Sequence, residues 1–99
     1  MRYRIKYEFD ADMWQSNGKG AWYFITVPQA ISDEIRTQLQ WQGEGWGRMR
    51  AEAIITGISW QTAIWFDTKQ GAYLLPIKAD IRKRTGLVVG EKVSIKLEV

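Results

Sequence analysis

Residues 3–9 alternate in polarity, with Tyr3, Ile5, Tyr7 and Phe9 against Arg4, Lys6 and Glu8. A period of two predicts a strand with one buried face, which Asp10 to Gln15 either extend or bulge. Asn17-Gly18-Lys19-Gly20 is a turn signal, because Asn and Gly tolerate positive φ, and residues 21–27 read as a second strand closing a hairpin with the first. Pro28 ends that strand. Ile31, Ile35 and Leu39 then recur every four residues, one face of a helix over 30–40. Asp33 and Glu34 suit the N-terminus of such a helix, where the helix dipole favours negative charge.

Gly43, Gly45 and Gly47 interrupt the pattern and predict a mobile loop flanked by Trp41 and Trp46. Alternation returns over 48–56, where Met49, Ala51, Ala53 and Ile55 oppose Arg48, Arg50, Glu52 and Ile54. Gly57 marks a bend. In the next strand, 58–66, Trp60, Thr62, Ile64 and Phe66 take one face and Gln61, Ala63 and Trp65 the other. Residues 67–71 form a hairpin loop and 72–77 another strand. A short basic helix over 78–84 follows, with Gly86 fitting its C-terminal cap. The last strand is 91–98, with Val93, Ile95, Leu97 and Val99 opposing Lys92, Ser94, Lys96 and Glu98.

Six strands and two short helices predict an all-β domain spanning 1–99. One-faced alternation argues for antiparallel pairing, and so few strands favour closure into a small barrel, which leaves no free edge.

Composition narrows the chemistry. The chain contains neither Cys nor His, which excludes a disulfide scaffold, a zinc site of the usual kind, a Cys nucleophile and a His general base. No metal or cofactor is expected. Six Trp in 99 residues are more than a small core readily hides, so at least one should line a groove or an interface. No apolar run resembles a signal peptide or a membrane span, so a cytoplasmic protein without membrane contact is the expectation. Lys78, Arg82, Lys83 and Arg84 against Asp80 give one seven-residue segment the same net charge, +3, as the whole chain.

The motifs Ile55-Thr56-Gly57-Ile58-Ser59-Trp60-Gln61-Thr62, Gly71-Ala72-Tyr73-Leu74-Leu75-Pro76-Ile77-Lys78, Ile81-Arg82-Lys83-Arg84-Thr85-Gly86-Leu87 and Gly90-Glu91-Lys92-Val93 occur in that order. With Gly20 to Pro28 before them, they resemble the prokaryotic family designated domain of unknown function nineteen hundred and five. The resemblance covers nearly the whole chain. It implies a six-stranded double-split β-barrel with short helices and attaches no activity to it. The stretch from Leu75 to Ile95 is also similar to the DNA-binding domains of the AbrB and MazE kind, which set a basic helix between a Pro and a Gly-(Asp/Glu)-x-Val strand. Those proteins interleave two chains into one barrel. Here the barrel elements occur twice in one chain, so a single chain could close it, as a monomer or a weak homodimer.

Three groups of residues are candidates for function. Lys78 and Arg82 share a helix face beside Lys83 and Arg84, a cluster able to neutralise nucleic-acid phosphates. A solvated face is the favoured explanation, with Asp80 and Arg84 as an ordinary pair and Ile77 and Ile81 turned inward. Trp22, Trp60, Trp65 and Tyr73, with Tyr23, are candidates for an aromatic groove, against the plainer reading of barrel core and helix packing. Asp10, Asp12 and Asp67 would serve a carboxylate-dependent hydrolase only if at least two converge in a cleft. The leading expectation is a non-catalytic domain that binds a small molecule or a protein partner; nucleic-acid binding through residues 78–84 is the alternative, and the hydrolase comes last.

Overall fold

Met49, Ala51, Ala53 and Ile55 face Ile64, Thr62, Trp60 and Ile58 across an antiparallel ladder. The computed structural model, which describes residues 5–18, 20, 22–39 and 48–99, thus keeps the alternation read for 48–66. The strands are β3 (Arg48–Ile55) and β4 (Ile58–Asp67). Their turn is Thr56-Gly57, with φ 49° and 79°. Positive φ at both central residues is what a two-residue hairpin matching strand twist requires. Gly57 adopts it freely, while the β-branched Thr56 is held there by the ladder on either side. Opposite Trp60 stands Ala53. The small side chain gives the indole room against the core.

The other strands are β1 (Lys6–Gln15), β2 (Tyr23–Thr26), β5 (Ala72–Pro76) and β6 (Lys92–Glu98). They close an antiparallel barrel in the order β1-β2-β5-β4-β3-β6, the double-split barrel. β1 runs unbulged through Gln15: residues 6–12 pair with β6 and 13–15 with β2. Ile5 and Val99 extend the β1–β6 ladder with reciprocal amide–carbonyl bonds of 2.9 and 3.0 Å. Ile95 lies opposite both Phe9 and Ile55, and Leu97 opposite both Tyr7 and Ala53, so β6 joins the two halves of the wall.

Two helices cover the barrel: α1 (Gln29–Leu39) and α2 (Ala79–Thr85). α1 inserts Ile35 into the core, as its four-residue period predicts. It also buries Ser32 completely. The Ser32 hydroxyl donates to the Val27 carbonyl at 3.1 Å and accepts the Tyr73 amide at 3.0 Å, so the helix satisfies a backbone group of β5 that would otherwise be buried unpaired. Asp33 and Glu34 do not sit in the first turn, contrary to expectation, because the helix starts at Gln29. They act through side chains instead: Asp33 accepts the Gln29 amide at 2.9 Å and Glu34 the Tyr7 hydroxyl at 2.9 Å. At the other end of β5, α2 turns Ile81 into the core with Ile77 and Leu87 beside it. Gly86 stops the helix at φ 72°, its N–H bonded to the Arg82 carbonyl. Tyr3 and the glycine-rich loop with Trp41 and Trp46 lie outside the described residues.

β5 departs from alternation. All five of its residues are buried, yet Ala72 and Leu74 stand outside the inner core cluster, as does Phe24 on β2. Phe24 belongs to an aromatic layer on the outer wall. Phe24 is flanked by Trp14 at 5.2 Å, Trp65 at 5.7 Å and Trp22 at 6.3 Å between ring centroids. The Trp14 indole N–H donates to the Thr26 hydroxyl at 2.8 Å, and that hydroxyl donates to Gln70 at 3.0 Å. Trp14 thereby meets the need of a half-buried indole for a partner.

Candidate ligand-binding cleft

β2 and β5 end side by side, where the Ile77 amide bonds the Tyr23 carbonyl at 2.9 Å. Beyond this point the chain turns into α2. Between the turn, the start of α2 and the residues before β2 lies a concave cleft of about 290 Å³. It is lined by Gly20, Trp22, Tyr23, Pro76, Ile77, Lys78, Ala79 and Arg82. The volume is at the low end for small-molecule sites.

Each wall is set by local chemistry. Trp22 stacks nearly parallel to Phe24, with 8° between the ring planes, and remains 55% exposed. That makes it the most exposed of the described aromatic anchors and the one expected at a groove. Gly20 sits beside the indole with φ 92°; a Cβ there would lie 3.6 Å from Trp22 Nε1. Arg82 also lines the cleft. Its guanidinium carbon lies 3.8 Å from the Tyr23 ring centroid, and its Nη1 donates to the Ile77 carbonyl at 2.8 Å. A cation over a π face, tied to a backbone oxygen, is a fixed charge rather than a solvated one. Lys78 precedes α2 in an extended conformation and makes no capping bond with its side chain. Its ammonium is exposed at the rim.

The predicted site residues therefore divide. Lys78, Arg82 and Trp22 come together in the cleft. Lys83 and Arg84 are exposed on α2 outside its lining. Trp60 and Trp65 lie on opposite faces of β4, as the alternation required: Trp60 packs on the core and Trp65 in the outer layer, edge-on to Phe24 and 6.0 Å from the Arg48 guanidinium. Tyr73 is buried inside against Phe66, at 5.4 Å. The four expected groove aromatics thus do not share one groove, because strand geometry sends neighbours to opposite faces. Burial pushes the Tyr73 phenol up, with Arg36 pulling the other way.

The acids stand apart from the cleft. Asp10 and Asp12 are exposed on β1, opposite Ser94 and Lys92. Asp67 accepts the Gln70 amide in the β4–β5 loop at 3.2 Å. Among the described residues, no three His, Cys, Asp or Glu are grouped to hold a metal ion, and no helix is long and apolar enough to cross a membrane. The motif reading missed Pro76, Ile77 and Ala79 as cleft residues, and missed Trp14 and Phe24 as the support behind Trp22. The two-residue spacing of Trp22 and Phe24 was the available signal for their shared face.

Residues 9–97 match the sequence profile described as Domain of unknown function (DUF1905). The chain belongs to this family. The matched span takes in the barrel from Phe9 of β1 to Leu97 of β6, both helices and all described residues lining the cleft, so the cleft is built within the DUF1905 domain itself. No curated protein matches the chain.

Proposed function

We propose that this DUF1905 domain is a non-catalytic binding module, and that the cleft between β2 and α2 seats a small molecule. The observation that carries the reading is Trp22: a large apolar ring, 55% exposed, backed by Phe24 and facing a concave wall. Exposing such a ring costs free energy that a ligand recovers by covering it. The chain's lack of His and Cys and the absence of acids among the described lining residues support binding over catalysis, because those residues include none of the usual nucleophiles or proton carriers.

Nucleic-acid binding is the second reading, favoured by the exposure of Lys83 and Arg84. It is weakened by the division of the basic cluster: Lys78 and Arg82 line the cleft, and Lys83 and Arg84 do not. One experiment addresses both. Thermal unfolding is followed for the wild type and Trp22→Ala against a broad metabolite set and single- and double-stranded oligonucleotides at low and high salt. The expected result is a subset of metabolites that raise Tm in the wild type and not in the variant. A salt-sensitive rise with oligonucleotides, equal in both proteins, would establish the second reading instead. No shift with any compound would overturn the first.

A further inference from the structure

From the chemistry of the cleft lining we infer the class of its ligand: a small planar ring carrying an anionic group, a carboxylate or a phosphate. This inference rests on the cleft being the ligand seat. The polar side-chain groups around it are nearly all donors. Lys78 presents an ammonium with three N–H bonds and no acceptor. Arg82 has five N–H bonds, of which Nη1 commits one to the Ile77 carbonyl. The Trp22 indole N–H is a donor only, lies at the Gly20 edge of the cleft, and has no hydrogen-bond partner among the described residues. Among the described residues of the lining, the Tyr23 hydroxyl is the one side-chain group able to accept.

Such a set matches a group that accepts without donating, which describes an ionised carboxylate or phosphate. The charge agrees. Among the described residues, two cations and no anion line the cleft, and a concave, partly apolar surround strengthens their field. Of the possible ligands, only an anion gains an ion pair from Lys78 and Arg82.

The flat shape follows from the walls. Trp22 runs nearly parallel to Phe24, with 8° between the planes and 6.3 Å between the centroids, and keeps 55% of its surface exposed. The Arg82 guanidinium carbon sits 3.8 Å from the Tyr23 ring centroid, and Pro76, Ile77 and Ala79 supply apolar lining. A planar ring covers an indole face with most area per atom. The volume of about 290 Å³ equals that of roughly ten waters, room for one or two fused rings and the anionic group.

Calorimetric titration with four probes tests the class: naphthoate, naphthamide, naphthylmethylamine and decalin carboxylate. They vary charge at fixed shape and shape at fixed charge. Naphthoate should bind, with naphthamide and decalin carboxylate each weaker by roughly tenfold, the scale of one charge-assisted hydrogen bond, and the amine weaker still. Lys78→Met should cost naphthoate a similar factor and flatten its salt dependence, while Lys83→Met should not. Phenyl phosphate, compared with naphthoate, tells phosphate from carboxylate as the preferred anion.

The failures separate. If naphthamide or the amine binds as well as naphthoate, and Trp22→Ala abolishes that binding, the seat stands and the anionic class falls. If decalin carboxylate equals naphthoate, the planar requirement falls. If naphthoate binds Trp22→Ala and wild type equally, with both folded by circular dichroism, the seat itself is wrong. If neither naphthoate nor phenyl phosphate binds, the class is overturned, and the metabolite screen decides the seat alone.

Discussion

Tyr7 shows how much a single side chain can couple the barrel to its covering helix. Its hydroxyl donates to Glu34 of α1 at 2.9 Å. Burial, the hydrogen bond to Glu34 and the carboxylate's charge raise the phenol from 10.0 to about 12. The folded protein thus holds this proton more tightly than the unfolded chain. The resulting stabilisation is complete below pH 10 and disappears as pH rises through about 12. Tyr7→Phe removes the linkage. Denaturant unfolding of both proteins should show wild type the more stable at neutral pH, with the gap shrinking between pH 10 and about 12. A gap that stays constant or widens over that range would contradict the assignment. The ultraviolet phenolate titration of the variant should also lack a component near pH 12.

At the scale of elements, α2 is short, and its ends decide whether it holds the cleft wall. Seven residues make a marginal helix by propensity alone. It persists because Ile81 is buried at its centre and Gly86 turns left-handed at its end. Nothing lies within 4 Å of a Cβ placed on Gly86, so Gly86→Ala tests backbone conformation without a clash. The expected loss is about 1–2 kcal/mol, the usual cost of a left-handed non-glycine residue, read from the denaturation midpoint. This element was legible in sequence. Ile77 and Ile81 set its inner face, and Gly86 its stop. The buried outer face of β5 was not, because its neighbours, such as Trp65 and Thr26 opposite Leu74, come from other strands, and no local period reports a neighbour. Ser32 was hidden likewise: its partner, the Tyr73 amide, belongs to a distant strand.

For the whole molecule, closure makes the unfolding unit. β6 is paired on both edges, and Ile95 stands in register with Phe9 of β1 and Ile55 of β3 while fully buried. Ile95→Ala should cost about 2–5 kcal/mol. Tryptophan fluorescence and circular dichroism should still report one coincident transition, since no part of the wall has a core of its own. Two separated transitions would show that the halves fold independently. The same closure explains why the barrel could be anticipated and the cleft could not. Alternation and strand number speak for a closed sheet; Trp22 and Lys78 meet only after β2 and β5 pair.

The β1–β6 ladder also sets an order in time. The turn between Ile55 and Ile58 encloses two residues, whereas joining Lys6 to Glu98 encloses nearly the entire chain. The entropy lost in closing a loop grows with its length, and folding slows as the contacts required lie farther apart in sequence. The β3–β4 hairpin is therefore the natural early structure, and the seam at β6 the late one. Until that seam forms, Phe9 and Ile95 have no partners across it, and the chain carries its stickiest surface open to its neighbours.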